Sequence, residues 1–194
     1  MKKKAAFGFL TFALTFTLVA CGEENTEPKT VDEQNETSEQ NTDSSNTNHS
    51  GMNHSSSGEV PEGLKEASSP TYPVGSTAIM HADHMEGMNG VEATVSGAYD
   101  TTVYAVTYTS TTSGEKVENH KWVIHEELEN PGDAPLEAGM EVTLQADHME
   151  GMEDAQAVID SAEETTVYMV DYTSTDGEKV TNHKWVTESE LSAE

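Results

Sequence analysis

Between Met140 and Ala146 apolar and polar residues alternate. Met140, Val142, Leu144 and Ala146 fall on one side, and Glu141, Thr143 and Gln145 on the other. A period of two predicts a half-buried β-strand. The same register recurs 64 residues earlier in Ser76, Ala78, Met80 and Ala82. A second strand is predicted over Val91–Val95 and its counterpart Ala155–Ile159. A third carries Tyr104, Val106 and Tyr108 on one face, repeated as Tyr168, Val170 and Tyr172. Turn residues at Ser113-Gly114 and Asp176-Gly177 lead to a fourth strand around His120–Val123. Helical periodicity is absent beyond the N-terminal leader, apart from one turn at Glu126-Glu127-Leu128.

These elements belong to a tandem repeat. Gly75–Thr111 aligns with Gly139–Thr175 at 19 of 37 positions, and Gly114–Leu128 with Gly177–Leu191 at 11 of 15. Four or five short antiparallel strands in each copy predict an all-β fold of two tandem small SH3-like barrel modules, at 71–128 and 137–194. A proline-bearing linker, 129–136, joins them. Units this short bury about 60% of their chain surface and are marginal alone.

The segment before the repeats is of another kind. Lys2, Lys3 and Lys4 precede an apolar run from Ala5 to Ala20, of the length of a signal-peptide core and too short for a mature membrane span. The run ends in Leu18-Val19-Ala20-Cys21-Gly22, which resembles the lipobox of bacterial lipoproteins. That resemblance makes residues 1–20 a signal peptide and Cys21 the lipidated first residue of an extracytoplasmic, membrane-anchored protein. Residues 21–70 are rich in Glu, Thr, Ser, Asn and Gln, a composition that predicts a disordered acidic tether. About 50 such residues have a root-mean-square reach of roughly 40 Å.

Charge narrows the partners. The chain has 9 lysines and no arginine against 36 acids, a formal net charge of −27. Binding to a phosphate backbone is thereby excluded, as is simple attraction to anionic wall polymers. Cys21 is the single cysteine, so no intramolecular disulfide can form.

Divergence between the two copies is uneven. The first strand keeps 1 of 7 positions from Gly75 to His81, yet Ala82-Asp83-His84-Met85-Glu86-Gly87-Met88 recurs unchanged as residues 146–152. Asn119-His120-Lys121-Trp122-Val123 recurs unchanged as 182–186. Imidazole with thioether suits a soft cation, above all Cu(I). The candidate ligands are His84, Met85, Met88 and His120 in the first copy, and His148, Met149, Met152 and His183 in the second. Gly87 is expected to take a positive φ and let the two sulfurs converge. Trp122 is placed to cover a bound ion. His49, Met52 and His54 repeat the same donor types within the tether. A competing reading makes the loop a tight turn whose methionines plug the end of a barrel while His84 bonds a backbone carbonyl.

The ADHMEGM loop, followed by TTVY, VxYTST, GEKV and NHKWV, resembles the YdhK family of Gram-positive lipoproteins, which carry two copies of a domain of unknown function. The resemblance covers Gly75–Leu191 and the lipobox. It implies a secreted, lipid-anchored protein of small tandem β-modules and supplies no catalytic residues. Two functions follow from the residues: a lipoprotein that binds copper outside the membrane, and a non-enzymatic module that grips a cell-envelope component through Tyr and Trp. An enzyme is disfavoured, because no nucleophile is paired with a base and no phosphate-binding loop is present.

Overall fold

The computed structural model describes residues 54–193. Cys21, the leader and most of the tether lie outside the described residues. Eight strands form one antiparallel sheet: β1 (Lys65–Glu66), β2 (Thr77–Met80), β3 (Glu92–Thr109), β4 (Lys116–Ile124), β5 (Glu141–Thr143), β6 (Gln156–Thr173), β7 (Lys179–Thr187) and β8 (Leu191–Ser192). Short 3-10 turns at His125–Glu127 and Glu188–Glu190 follow β4 and β7. The all-β class and the two repeats are as the sequence predicts.

The second and third expected strands of each copy are one strand of 18 residues. A register shift between Val95 and Gly97 marks a bulge there. A β-bulge bends a strand without ending it, so one strand serves two packing units. Tyr99 presses against the Gly97 Cα so closely that a Cβ there would sit 2.7 Å from the ring. Strands β3 and β6 pair along almost their full length, from Ala93↔Tyr172 to Tyr108↔Ala157. β2 and β4 flank β3, and β5 and β7 flank β6.

This pairing mixes the repeats. One core takes Ala78, Met80, Met88 and Val95 from the first half of copy one, and Tyr168, Val170, Tyr172 and Leu191 from the second half of copy two. The other takes the reciprocal halves, with Leu144, Met152 and Ile159 against Tyr104, Val106 and Tyr108. A third cluster lies between them, built from Val103, Ala105, Ile124, Val167, Met169 and the two indoles Trp122 and Trp185. The repeats of the sequence are thus not the packing units of the fold. Each half-module exposes an apolar face that only the other copy covers, which answers the marginal burial of a 55-residue unit.

The folded body also begins earlier than Pro70. Ser56 N–H donates to Thr181 O at 3.0 Å, Ser56 Oγ donates to Asn182 O at 2.6 Å, and Ala67 N–H donates to Ala98 O at 3.0 Å. Leu64 packs on the central cluster and Ala67 on the first core. A handful of apolar residues suffices because hydrogen bonding to existing strand backbone carries the rest. Met140, expected inside, is 43% exposed.

Candidate functional site

The identical loops meet the identical strands across the repeat boundary. Gly87 has φ +84° and its carbonyl accepts from Thr175 N–H of the other copy; Gly151 has φ +82° and accepts likewise from Thr111 N–H. Each loop therefore lies against a turn of the opposite repeat, and a Cβ on Gly87 would meet Ser174 Cβ at 3.0 Å. In the strands, Asn119 (φ +50°) and Asn182 (φ +52°) occupy the left-handed region at the bulges of β4 and β7. Asparagine tolerates that conformation better than most residues, which accounts for its retention.

Two carboxylates that the sequence reading passed over hold the centre. Glu127 Oε1 accepts from His148 Nε2 at 2.7 Å, both Glu127 oxygens accept from Trp185 Nε1, and Ile124 N–H donates to Oε2 at 3.2 Å. Its counterpart Glu190 accepts from His84 Nε2 at 2.6 Å, Trp122 Nε1 at 3.0 Å and Thr187 N–H at 2.9 Å. Each glutamate thus gathers the His and the Trp of the opposite copy. Both are identical at the 63-residue offset, a signal visible in the repeat alignment. Burial would raise the Glu190 carboxyl, but the His84 ring, the Thr187 N–H and the Trp122 indole bring it down to about 2.

A carboxylate accepts, so Nε2–H of His84 and of His148 donates to it, and Nδ1 is the ring nitrogen left for another partner. Nδ1 of His148 is buried with no hydrogen-bond partner. Nε2 of His183 is in the same condition, while the His183 ring bonds the backbone of His54. Burial, then the neighbouring His84, His148 and His54, push the His183 imidazole down to about 3, so it is neutral at ordinary pH. Tyr108 and Tyr172 stand edge-on to His120 and His183, with ring centres 5.9 and 5.8 Å apart.

All of these imidazoles border one cleft of about 500 Å³. His84, His120, His148 and His183 line it with Met85 and Met149, and His54 stands at its N-terminal side. The ring centres of His120 and His148, from opposite copies, are 6.5 Å apart. Met85 and Met149 are half-buried beside it.

Two expected ligands are elsewhere. Met88 and Met152 are 0% exposed and belong to the two hydrophobic cores, so they are not ligands. Gly87 and Gly151, at positive φ, lie between the two methionines of each loop: Met88 and Met152 sit inside the cores, while Met85 and Met149 pack at the edge of the same cores and line the cleft. The grouping of His84 with His120 is also corrected, since His120 faces His148 of the other copy and His84 stands edge-on to Trp122 and bonds Glu190. Trp122 carries Lys121 Nζ over its ring at 5.4 Å and gives its N–H to Glu190, so it anchors the site and does not cover an ion. Among the described residues no three His, Cys, Asp or Glu side chains gather as a metal cluster.

Structural duties thus explain Ala82, Gly87, Met88, Asn119 and Trp122 in the unchanged segments. Met85 and Met149 are half-buried, packing against the first and second cores respectively while also lining the cleft.

Residues 74–125 and 138–188 each match the family described as "Protein of unknown function (DUF1541)". The chain belongs to the DUF1541 family. It is 55% identical over 192 residues to the uncharacterized protein YdhK of Bacillus subtilis, covering 98% of this chain and 89% of that one. A crystal structure of the DUF1541 family protein ydhK from B. subtilis matches with a TM-score of 0.72 at 61% identity, over 75% of this chain and all of the other. A second crystal structure of the ydhK protein matches with a TM-score of 0.59 at 63% identity, over 61% and 97% of the two chains. The two DUF1541 segments coincide with the repeats read from the sequence, and the family description assigns them no activity.

Proposed function

We propose that this protein binds a soft metal ion, Cu(I) foremost, in the cleft between its repeats, and that it does so outside the cytoplasmic membrane on a lipid anchor at Cys21. The observation that carries the reading is His148. Its Nε2 is fixed on Glu127, and its Nδ1 is buried, without a partner, beside the cleft. Leaving a buried acceptor unsatisfied costs about 1–3 kcal/mol, a cost that a metal ion would remove. A carboxylate behind a ligating imidazole is the usual support of a metal-bound histidine. Two imidazoles on one ion, with metal–nitrogen bonds of about 2.0 Å, place their ring centres roughly 6 Å apart in the linear limit, close to the 6.5 Å of His120 and His148.

The donor set favours a soft ion. The absence of a three-residue His/Cys/Asp/Glu cluster among the described residues does not suit zinc, whereas Met85 and Met149 supply thioethers. The protein acts as a binding protein, without a catalytic step. An envelope-gripping module would present aromatic side chains; the large apolar side chains exposed on the described surface are Val60, Val74, Met140 and Val158.

Titration of the protein with Cu(I) against a competing chelator tests the reading. Uptake should be stoichiometric. Met85→Leu with Met149→Leu should weaken it tenfold or more, and Met88→Leu with Met152→Leu should leave it unchanged. No uptake, or the reverse ranking of the two double variants, would overturn it.

A further inference from the structure

We infer that the cleft takes two soft ions, each gripped between one imidazole from each repeat, at His120 with His148 and at His84 with His183. This rests on the soft-metal reading above and adds the number of ions and the cross-repeat pairing. The argument is from symmetry. Strand β3 pairs with β6 so that Thr101 faces Thr165, its own equivalent 64 positions on. A pseudo-two-fold axis therefore passes through this pair and makes the contact between the repeats isologous. Operating on His120 and His148, it generates His183 and His84. The pair His120 and His148 has ring centres 6.5 Å apart, and its images under the axis, His183 and His84, line the same cleft.

The surroundings repeat in the same way. Behind His148 stands Glu127, bonded to Trp185; behind His84 stands Glu190, bonded to Trp122. Met149 adjoins the first pair in sequence and Met85 the second. A bare, buried nitrogen occurs on each side of the axis, at His148 Nδ1 and His183 Nε2. A single shared ion would use one of these two environments and leave the other buried nitrogen unsatisfied. A volume of about 500 Å³ has room for both ions.

Cu(I) is titrated into the purified full chain under a competing chelator, with metal and protein quantified after desalting. The native protein should saturate at two ions per chain, and His120→Ala and His183→Ala should each retain one. Met149→Leu and Met85→Leu, which spare the buried rings, should each weaken one of the two binding steps only. Saturation of the native protein at one ion per chain overturns the two-site inference while sparing the soft-metal reading. So does loss of both ions from either histidine variant whose near-ultraviolet circular dichroism matches the native protein. No uptake by the native chain removes both.

Discussion

Thr101 pairs with Thr165, and the two are equivalent positions of the two repeats. An antiparallel pair of equivalent elements in this register is crossed by a pseudo-two-fold axis, so the bonds of Glu127 to His148 and Trp185 recur as those of Glu190 to His84 and Trp122. The chain is in effect a two-fold dimer carried on one polypeptide, with Glu129–Pro135 as the connection. The first prediction concerns that connection. A protease site inserted between Asp133 and Ala134, both exposed, should be cleaved without separating the halves. Size-exclusion chromatography should show the nicked protein at the volume of the intact one; two fragments eluting apart would sink the interwoven arrangement.

The loop glycines give the second prediction. Gly87 and Gly151 both have φ near +80°, and an added Cβ meets the opposite repeat, Ser174 in one case and Ser110 with Thr112 in the other. An L-residue at such a φ costs on the order of 1–3 kcal/mol before any contact is counted. Gly151→Ala should destabilise by more than Gly87→Ala, because Ser110 is buried and its hydroxyl is engaged by Thr112 and Ser113. Urea unfolding midpoints at constant m-value would check the order.

Glu127 supplies the third. It is 3% exposed and carries the bonds from His148, Trp185 and the Ile124 backbone. Glu127→Ala leaves those donors buried and unpaired, a loss of about 3–5 kcal/mol by the measure of broken buried pairs. Glu127→Gln retains an acceptor and should fold, but it weakens the hold on the His148 tautomer. Ring nitrogen shifts of His148 should then move toward a mixture of tautomers while those of His84 stay fixed, and an unchanged His148 spectrum would contradict the assigned role.

Much of this fold is legible in the chain because strand patterning is local. The alternation at Met140–Ala146 and the Tyr104, Val106, Tyr108 stripe each report one face of one strand. What covers that face is not local. Nothing in the period of two states that the Tyr104 stripe meets Leu144 of the other copy and not Met80 of its own. The bulge at Gly97 hid the continuity of β3, since it breaks the period of two between Val95 and the Tyr104 stripe. The site was legible by identity between copies, which pointed to both unchanged segments. It did not separate Met85 from Met88, because a residue inside the core and one that lines the cleft are retained alike. Glu127 and Glu190 were missed among 36 acids for want of any local mark beyond their recurrence.

His183 gives the last prediction, a loss of stability in mild acid. Its imidazole is 5% exposed, and burial among other histidines lowers it to about 3, against about 6.5 in an unfolded chain. In the folded protein it therefore stays neutral at pH values where the unfolded chain takes up a proton. Proton uptake by the unfolded state alone draws the equilibrium toward unfolding as pH falls below about 6.5, and the effect grows until the folded ring itself titrates near 3. Between pH 7.5 and pH 5 the cost is about 2 kcal/mol. Glu190, lowered to about 2, begins to withdraw its own contribution only below the ordinary carboxylate range near 4.5, so the two effects occupy different windows. In metal-free protein His183→Asn should lower the melting temperature at pH 7.5 and flatten its fall between pH 7.5 and pH 5. Parallel pH profiles for the native and variant proteins would mean that His183 is protonated in the folded state, and the neutral, buried imidazole assigned to the cleft would be wrong.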